Sequence, residues 1–382
     1  MKRKYIIDIL LVLLFVFNIT TAYAYWANNI LGDSSINTAT ISIGNWSDDE
    51  VINDEDTLIE FLSGEMDPDA DIVLTSDIDL SENENNTFEP IENFTGTLDG
   101  GGNTITGFEI IDEGSNFTGL ITNNTGTISN LVVEDITVTQ TDNSSSSNST
   151  ETAYIGVLIG ENNGTVENVQ VNSSTITATN NSSSQFFSGS TLNLYAGGIV
   201  GFNGANGVIS NSYSKANIQM TTTLSSVFVS TTTANLYAGG LVGYNEGVVS
   251  YGYATGSITN TVTTSSSWGG GFSLNTYAGG VVGFNNTTGN VHHVFATGNL
   301  TISASTGTKY IGYVVARNTG TTSSLYRLNS QTYSPTNATL YNNATSTTVT
   351  NLQAQTYLTN NLGFDFVNVW LAQTGNYPIL QT

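Results

Sequence analysis

A nine-residue segment recurs along this chain and constrains its fold more than any other feature. Three copies are nearly identical: Tyr195-Ala-Gly-Gly-Ile-Val-Gly-Phe-Asn203, Tyr237-Ala-Gly-Gly-Leu-Val-Gly-Tyr-Asn245 and Tyr277-Ala-Gly-Gly-Val-Val-Gly-Phe-Asn285. Looser copies begin at Phe117, Tyr154 and Tyr310, so successive copies are 37, 41, 42, 40 and 33 residues apart. Repetition at such a period indicates stacked units, each of which buries apolar surface only against its neighbours.

The composition of the repeat predicts strands rather than helices. Its apolar runs are short and rich in β-branched residues, as in Val281-Val282, and glycine or asparagine interrupts them. Glycine costs a helix about 1 kcal/mol per position relative to alanine, whereas it suits tight corners between strands. Strands that recur with no helix between them favour an all-β parallel solenoid.

Three sets of repeated positions have predicted structural roles. The glycines either adopt a positive φ or let one coil approach the next closely; they are Gly197, Gly239 and Gly279. The asparagines are expected to supply left-handed corners and to form a side-chain amide ladder; they are Asn203, Asn245, Asn285 and Asn318. The aromatics predict an internal packing stack, with a sugar-stacking platform as the alternative; they are Tyr195, Tyr237 and Tyr277 with Phe202, Tyr244 and Phe284.

The central copies resemble the GLUG repeat. The resemblance rests on Gly-Gly-Leu-Val-Gly-Tyr-Asn-Glu-Gly-Val-Val-Ser, followed by Gly-Tyr-Ala-Thr-Gly-Ser-Ile, within residues 239–258, and it covers roughly residues 57–382. It implies a right-handed parallel β-helix of the pectin-lyase-like kind. The GLUG repeat is found in large secreted and surface-attached microbial proteins, and many of these are described as adhesins or as parts of surface peptidases. The resemblance therefore implies a protein of this kind.

Both ends of the array have predicted caps. Asp56–Leu62 is expected to form a short helix, N-capped by Asp56, over the open end of the solenoid, and residues 71–80 are expected to form the first full strand. Trp370, in the aromatic tail, is expected to plug the last coil. The predicted divisions are a signal peptide (1–24), an acidic linker (25–55), the start of the solenoid with its cap (56–116), the repeat array (117–330) and a closing segment (331–382).

The first residues predict export. Lys2-Arg3-Lys4 precedes the apolar run Ile9–Phe17, and Ala22-Tyr23-Ala24 fits a cleavage site after Ala24. The apolar run is too short to span a bilayer, although an uncleaved anchor over Ile9–Ala27 is the alternative. The sequence therefore predicts a secreted, extracellular or cell-surface protein that meets a membrane only through an uncleaved leader.

Charge and residue chemistry argue against several function classes. The formal net charge is −24, and 26 of the 31 acidic residues lie between Asp48 and Glu161, so nucleic acid is not an expected partner. The chain has no cysteine. Beyond Glu167 its only acids are Glu246 and Asp365, far apart in the array.

Three short motifs are interpreted as structural. Asp67-Pro-Asp-Ala-Asp71 lacks the glycine and glutamate of a calcium loop, and Asp99-Gly-Gly-Gly102 has no following lysine, so each is predicted to be a turn. His292 and His293 are adjacent and on a strand would face opposite sides, unable to hold one metal ion. We therefore expect no catalytic residue, metal or cofactor, and no enzyme activity.

Ser/Thr/Asn-rich tracts separate the repeats, at residues 141–152, 173–192, 220–236 and 261–275. They are predicted to be strands extending to hairpins, or loops on one side of the rod, that bury little surface. The predicted function is structural or adhesive, with surface glycans or the surface proteins of host or neighbouring cells bound through these hairpins. The alternatives are a matrix or filament subunit that polymerises through its N-terminal segment, and a glycan-active enzyme or its targeting module.

Overall fold

A computed structural model describes residues 50–84, 86–114, 116–142, 149–184 and 188–381. The predicted leader and the cleavage site at Ala24 lie outside the described residues. None of the helices within the described ranges is long and apolar enough to cross a membrane.

The described strands and helices group into coils. The first elements are β1 (Glu50–Ile52), α1 (Glu55–Leu62) and then coil 1, with β2 (Asp71–Leu74), β3 (Ile78–Asp79) and β4 (Thr87–Phe88). Coil 2 contains β5 (Thr97–Asp99), β6 (Thr104–Thr106), β7 (Glu109–Asp112), β8 (Phe117–Thr118) and β9 (Ile121–Asn124). Coil 3 contains β10 (Thr127–Ser129), β11 (Val132–Glu134), β12 (Thr137–Asp142), β13 (Thr150–Gly156) and β14 (Ile159–Asn162). Coil 4 contains β15 (Thr165–Glu167), β16 (Gln170–Asn172), β17 (Thr175–Ser184), β18 (Gly189–Gly197) and β19 (Val200–Asn203).

The later coils repeat this order. Coil 5 contains β20 (Val208–Ser210), β21 (Tyr213–Ser214), β22 (Asn217–Val227), β23 (Thr231–Gly239) and β24 (Val242–Asn245). Coil 6 contains β25 (Val248–Ala254), β26 (Ile258–Ser267), β27 (Gly271–Gly279) and β28 (Val282–Asn285). Coil 7 contains β29 (Asn290–Ala296), β30 (Leu300–Ala304), β31 (Thr308–Gly312) and β32 (Val315–Asn318). Coil 8 contains β33 (Thr321–Leu328), β34 (Tyr333–Ser334), β35 (Thr339–Tyr341) and β36 (Thr345–Thr347). The tail contains α2 (Val349–Leu352), α3 (Gln355–Leu362), β37 (Trp370–Leu371) and β38 (Ile379–Leu380).

The strands of successive coils pair in parallel and form four long sheets. Sheet 1 contains β1–β3, the strands that begin each later coil, and β36 at the end of coil 8. Sheet 2 runs from β4 to β34, sheet 3 from β8 to β35, and sheet 4 from β9 to β32. The sequence repeats are in register, since Tyr195 pairs with Tyr237 and Tyr237 with Tyr277. The predicted parallel β-helix is confirmed.

The interior of the coils is aliphatic. In the repeat, Ala238 and Val242 are fully buried, and so are their counterparts Ala278 and Val282 in coil 6. Alternation along each strand directs these residues inward, while Tyr237 between two inward positions points to the outer face. The β-branched pairs of the sequence therefore form the core.

The N-terminal cap exists, although two details of the prediction were wrong. Helix α1 packs Leu58, Phe61 and Leu62 into the core, but its N-cap is Asp54, not Asp56: the Asp54 carboxylate accepts from the backbone N–H of Thr57, and the Thr57 hydroxyl accepts from the backbone N–H of Asp54. Residues 71–80 form two strands, β2 and β3, rather than one, and β1 precedes them.

The tail packs along the side of the β-helix, so Trp370 does not plug the last coil. The Trp370 ring centroid lies 6.3 Å from that of Tyr213 in coil 5 and 5.9 Å from that of Tyr253 in coil 6. The Tyr253 hydroxyl donates to the Pro378 carbonyl oxygen at 2.6 Å. Tyr213, Tyr253 and Phe295 form an outward aromatic row on sheet 1 that needs cover, and the tail supplies it.

Candidate functional site

The repeat asparagines form a buried amide ladder along the coils. Asn203 Nδ2 donates to Asn245 Oδ1 at 2.8 Å, and Asn245 Nδ2 donates to Asn285 Oδ1 at 2.8 Å. The ladder continues to Asn318 at 2.8 Å and begins with Asn124 and Asn162, two coils before the predicted first member. Each internal amide also donates to a backbone carbonyl, which leaves this column saturated and internal.

Left-handed corners occur in a different column, so the expectation that the ladder asparagines supply them was wrong. The corner residues with positive φ occupy equivalent places in coils 3 to 8; they are Asn130, Asn168, Asn211, Tyr251, His293 and Ser324. Asparagine occupies the corner in coils 3 to 5, and Tyr251, His293 and Ser324 occupy it in coils 6 to 8.

The repeat glycines allow close approach between coils. A Cβ placed on Gly239 would lie 2.1 Å from the Val242 carbonyl oxygen and 2.5 Å from the backbone nitrogen of Gly283 in the next coil. Gly197 and Gly279 have equivalent contacts, and none of the three has a positive φ. Of the two roles left open by the sequence, the structure assigns the close approach.

The aromatic residues form two adjoining outer columns, separate from the main core. The first column stacks Tyr195, Tyr237 and Tyr277 with centroid separations of 5.0 and 4.3 Å and interplanar angles of 4° and 8°. In the second column, Tyr244 and Phe284 pack against the first. The rings of the first column stack face to face, whereas Tyr244 meets Tyr195 and Phe284 edge to face, so the two columns pack mainly against each other. This packing favours the structural role over a sugar-stacking platform.

Charged side chains flank the second column. The Tyr244 hydroxyl donates to Glu246 at 3.1 Å, and Arg317 donates to the Tyr237 hydroxyl at 2.9 Å while its guanidinium lies 4.5 Å from the Phe284 ring centroid. Burial, reinforced by Glu246, raises the pKa of Tyr244, and burial raises the pKa of Tyr277 to about 12. The phenols of Tyr244 and Tyr277 are therefore neutral at physiological pH.

The histidine pair departs from the sequence expectation. His293 has a φ of 57°, which breaks the alternation of the strand and brings the two rings to the same side, with their Nδ1 atoms 2.7 Å apart. Burial lowers the pKa of both rings, and for His292 the neighbouring His293 lowers it further. One neutral ring donates to the other. Among the described residues there is no group of three or more His, Cys, Asp or Glu side chains that could hold a metal ion.

Two clefts lie in the acid-rich first coils. Their volumes are about 540 and 570 Å³, and Glu89 and Glu92 line both of them. Asp112 and Glu113 also line the second cleft, where the Asp112 carboxylate accepts a hydrogen bond from Thr118. In the predicted acidic turn, the carboxylates of Asp69 and Asp71 accept hydrogen bonds from the hydroxyls of Thr95 and Thr97.

The Ser/Thr/Asn tracts form paired strand extensions, which we call arms. Each of the three long arms consists of the end of a sheet 2 strand and the start of the sheet 3 strand that follows it: β17–β18, β22–β23 and β26–β27. Within the described residues, each arm strand pairs in parallel with the same strand of the neighbouring coil, as Thr223 does with Thr263, and not as an antiparallel hairpin.

The arms bury more than their polar composition suggests, which corrects the prediction that these tracts bury little. Ser184, Ser226 and Thr232 face inward and are no more than 1% exposed. Ser184 Oγ lies 2.7 Å from Thr232 Oγ1, and Thr232 Oγ1 donates to the Ser225 carbonyl oxygen at 2.7 Å. Ser184, Ser226 and Thr232 therefore belong to a buried hydrogen-bonded cluster between the two sheets of the arms.

The tips of two arms carry exposed apolar side chains that the sequence reasoning missed. Phe228, Val229 and Trp268 are 37%, 64% and 76% exposed, and all three have positive φ. The Phe228 and Trp268 rings stack at 5.8 Å with an interplanar angle of 14°. The available signal was an apolar residue in the middle of each hydroxyl-rich tract, where a solvated turn has no need of one.

Known proteins give one sequence match and distant structural matches. The GLUG motif matches residues 193–219 and 234–259. No curated protein matches the chain. Among solved structures, a protein from Bacteroides ovatus described as a candidate immunoglobulin A1 protease is similar over 87% of this chain and 92% of its own, at 16% identity and a TM-score of 0.47. An IgA1 protease is similar at 14% identity and a TM-score of 0.34, over 80% of this chain and 21% of its own. Both matches are too distant to transfer an activity. This chain is a parallel β-helix whose repeat array contains the GLUG motif.

Proposed function

We propose that the chain is an exported, surface-associated β-helix with an adhesive role, and that it binds neutral glycans at the tips of its arms. The observation that carries the proposal is the exposed Trp268, stacked on Phe228, at the end of a hydroxyl-rich arm. An aromatic ring offers its face to the C–H bonds of a sugar ring, and neighbouring hydroxyls can bond the sugar hydroxyls.

The surroundings of the tip favour a neutral ligand. Residues 247–308 contain no Asp, Glu, Lys or Arg, whereas the acids are concentrated in the first coils. Thr223 and Ser265, on the outer faces of the same arms, are exposed and supply hydroxyl groups beside the aromatic tip. An ionic ligand would find no countercharge within this segment.

The role we propose is non-catalytic, because the arms contain no carboxylate, histidine or lysine that could transfer a proton. Export rests on the leader-like residues 1–24. Surface proteins of neighbouring cells are the other class of partner that hydroxyl-rich arms could contact.

A glycan array tests the proposal. The intact chain should bind neutral glycans, and Trp268→Ala should reduce that binding at least tenfold while leaving the circular dichroism spectrum unchanged. Tyr341→Ala is the matched control, because Tyr341 is an exposed aromatic (45%) outside the arms. Equal binding by wild type and Trp268→Ala, or no binding to any neutral glycan, would contradict the proposal.

A further inference from the structure

The last long arm has an open edge. On its inner side, Thr263–Ser267 of β26 pairs with residues 223–227 of β22, and residues 271–274 of β27 pair with residues 231–234 of β23. On its outer side, β30 pairs only with residues 258–262 and β31 only with residues 275–279. No described strand continues the two sheets beyond the five residues 263–267 and the four residues 271–274.

The interior of this arm is incompletely covered as a result. Ser226 and Thr232, in the middle arm, are fully buried, but their register partners Ser266 and Phe272 are exposed and half-buried, respectively. Leu224 is also fully buried, whereas its partner Thr264 is only half-buried. The inward-facing row that each arm buries against its neighbours therefore ends in solvent at the last arm.

The edge also lacks the features that usually prevent strand addition. Natural edge strands are protected by charged side chains, proline or bulges. Residues 258–279 contain no charged residue and no proline, and their parallel ladder with the middle arm is continuous. The strong negative charge that would oppose association lies in the first coils rather than here.

We propose that this edge pairs with the same edge of a second copy, in an antiparallel arrangement related by a twofold axis. A partner must add one strand to each of the two facing sheets. It must also fill the space between the two sheets with small side chains. The same arm of a second copy meets both requirements. The short turn at Ser305–Gly307 in coil 7 closes the open edge at the end nearest the coils. The partner arm therefore approaches from the tip of the arm, and the coils of the partner lie on the opposite side. The pairing places Ser265, the middle of the five residues, opposite its own copy.

A single introduced cysteine tests this geometry in the intact chain, which has none of its own. Directly opposed residues of antiparallel strands have Cα atoms about 4.5–5.5 Å apart, within the range of a disulfide. Ser265→Cys should therefore give a disulfide-linked dimer under mild oxidation. Ser225→Cys is the matched control: Ser225 is the register partner of Ser265 but lies in the middle arm, with strands on both sides, and should remain largely monomeric.

Analytical ultracentrifugation supplies an independent readout. The interface is small, so we expect the wild type to form a dimer whose population depends on concentration. Ser265→Lys should weaken the dimerisation affinity at least tenfold, and Ser225→Lys should leave it unchanged. A wild type that is monomeric at about 1 mM would overturn the proposal. So would equal cross-linking of the two cysteine variants, or loss of association on Ser225→Lys in a chain with an unchanged circular dichroism spectrum. Because Trp268→Ala leaves these edges in place, failure of glycan binding and failure of dimerisation are distinguishable.

Discussion

At the scale of single residues, the repeat glycines leave room for the close backbone contacts between neighbouring coils. Gly239 and its counterparts have ordinary backbone conformations, so their requirement comes from neighbouring backbone atoms rather than from φ. Backbone atoms have no rotamer with which to move aside. A methyl group at this position must therefore displace an entire strand.

Gly239→Ala should accordingly destabilise the chain by about 2–3 kcal/mol through overpacking. Gly271→Ala should have little effect, because the nearest atom to an added Cβ there is 4.0 Å away. Hydrogen exchange is the appropriate measurement, since solenoid stability is a sum over neighbouring coils and the loss should centre on coils 5 and 6. Uniform protection in Gly239→Ala would contradict the close-approach role.

Residue roles were predictable where one short-range pattern determines them. The alignment of Asn203, Asn245 and Asn285 follows from their identical place in three copies, and the ladder follows from parallel register. The conformation of His293 was not predictable, because its left-handed corner is imposed by the coil beneath it, where Tyr251 occupies the same position. Nothing in the local sequence His-His indicates that position.

At the scale of elements, the tyrosine column should make the β-helix sensitive to alkali. Burial raises the pKa of Tyr195, and raises that of Tyr277 to about 12, above the value of about 10 for an unfolded chain. Unfolded tyrosines lose protons first as the pH rises, so the stability present below pH 10 is lost progressively between about pH 10 and pH 12.

Tyr195→Phe removes one of these protons and should reduce the slope of stability against pH above pH 10. The measurement is urea denaturation at several pH values, with tyrosinate absorbance followed in parallel. Tyr341→Phe, at an exposed position in β35, is the control. An unchanged alkaline slope in Tyr195→Phe would contradict the assignment.

The arms show why elements are harder to predict from sequence than repeats. Their Ser/Thr/Asn composition is that of solvated loops, and yet Ser184 and Thr232 are buried because equivalent polar positions stack in register. The Ser184 hydroxyl bonds the Thr232 hydroxyl, which in turn donates to the Ser225 carbonyl oxygen, so both buried groups have partners. Composition alone does not distinguish this arrangement from a loop; the relevant signal is the alternation maintained over β17 and β22.

At the scale of the whole molecule, the tail packs against the side of the β-helix and stabilises it. Trp370 is fully buried against Tyr213, Tyr253 and Phe364. Sequence reasoning identified the aromatic tail and its closing role, but it assumed that a closing segment continues from the coil that precedes it. The aromatic row at Tyr213, Tyr253 and Phe295 was the available indication that another surface needed cover.

Trp370→Ala should cost about 3–5 kcal/mol, as expected for truncation of a buried aromatic. Val367→Ala, whose side chain is 81% exposed in the same tail, should change stability by less than about 0.5 kcal/mol. Urea denaturation gives the size of the loss, and hydrogen exchange gives its place. Protection should fall at Tyr213 and Tyr253; a loss confined to coil 8 would contradict the observed packing.

The packing of the tail also determines how the molecule responds to mechanical force. A pull applied to the chain at Gln381 does not act first on coil 8, because the tail is attached to coils 5 and 6 through Trp370 and through the Tyr253–Pro378 hydrogen bond. The tail contact with coils 5 and 6 bears part of the tension before the tension reaches the strand hydrogen bonds of coil 8. The tail therefore delays the stepwise peeling of coils that a solenoid held only by neighbouring coils would undergo.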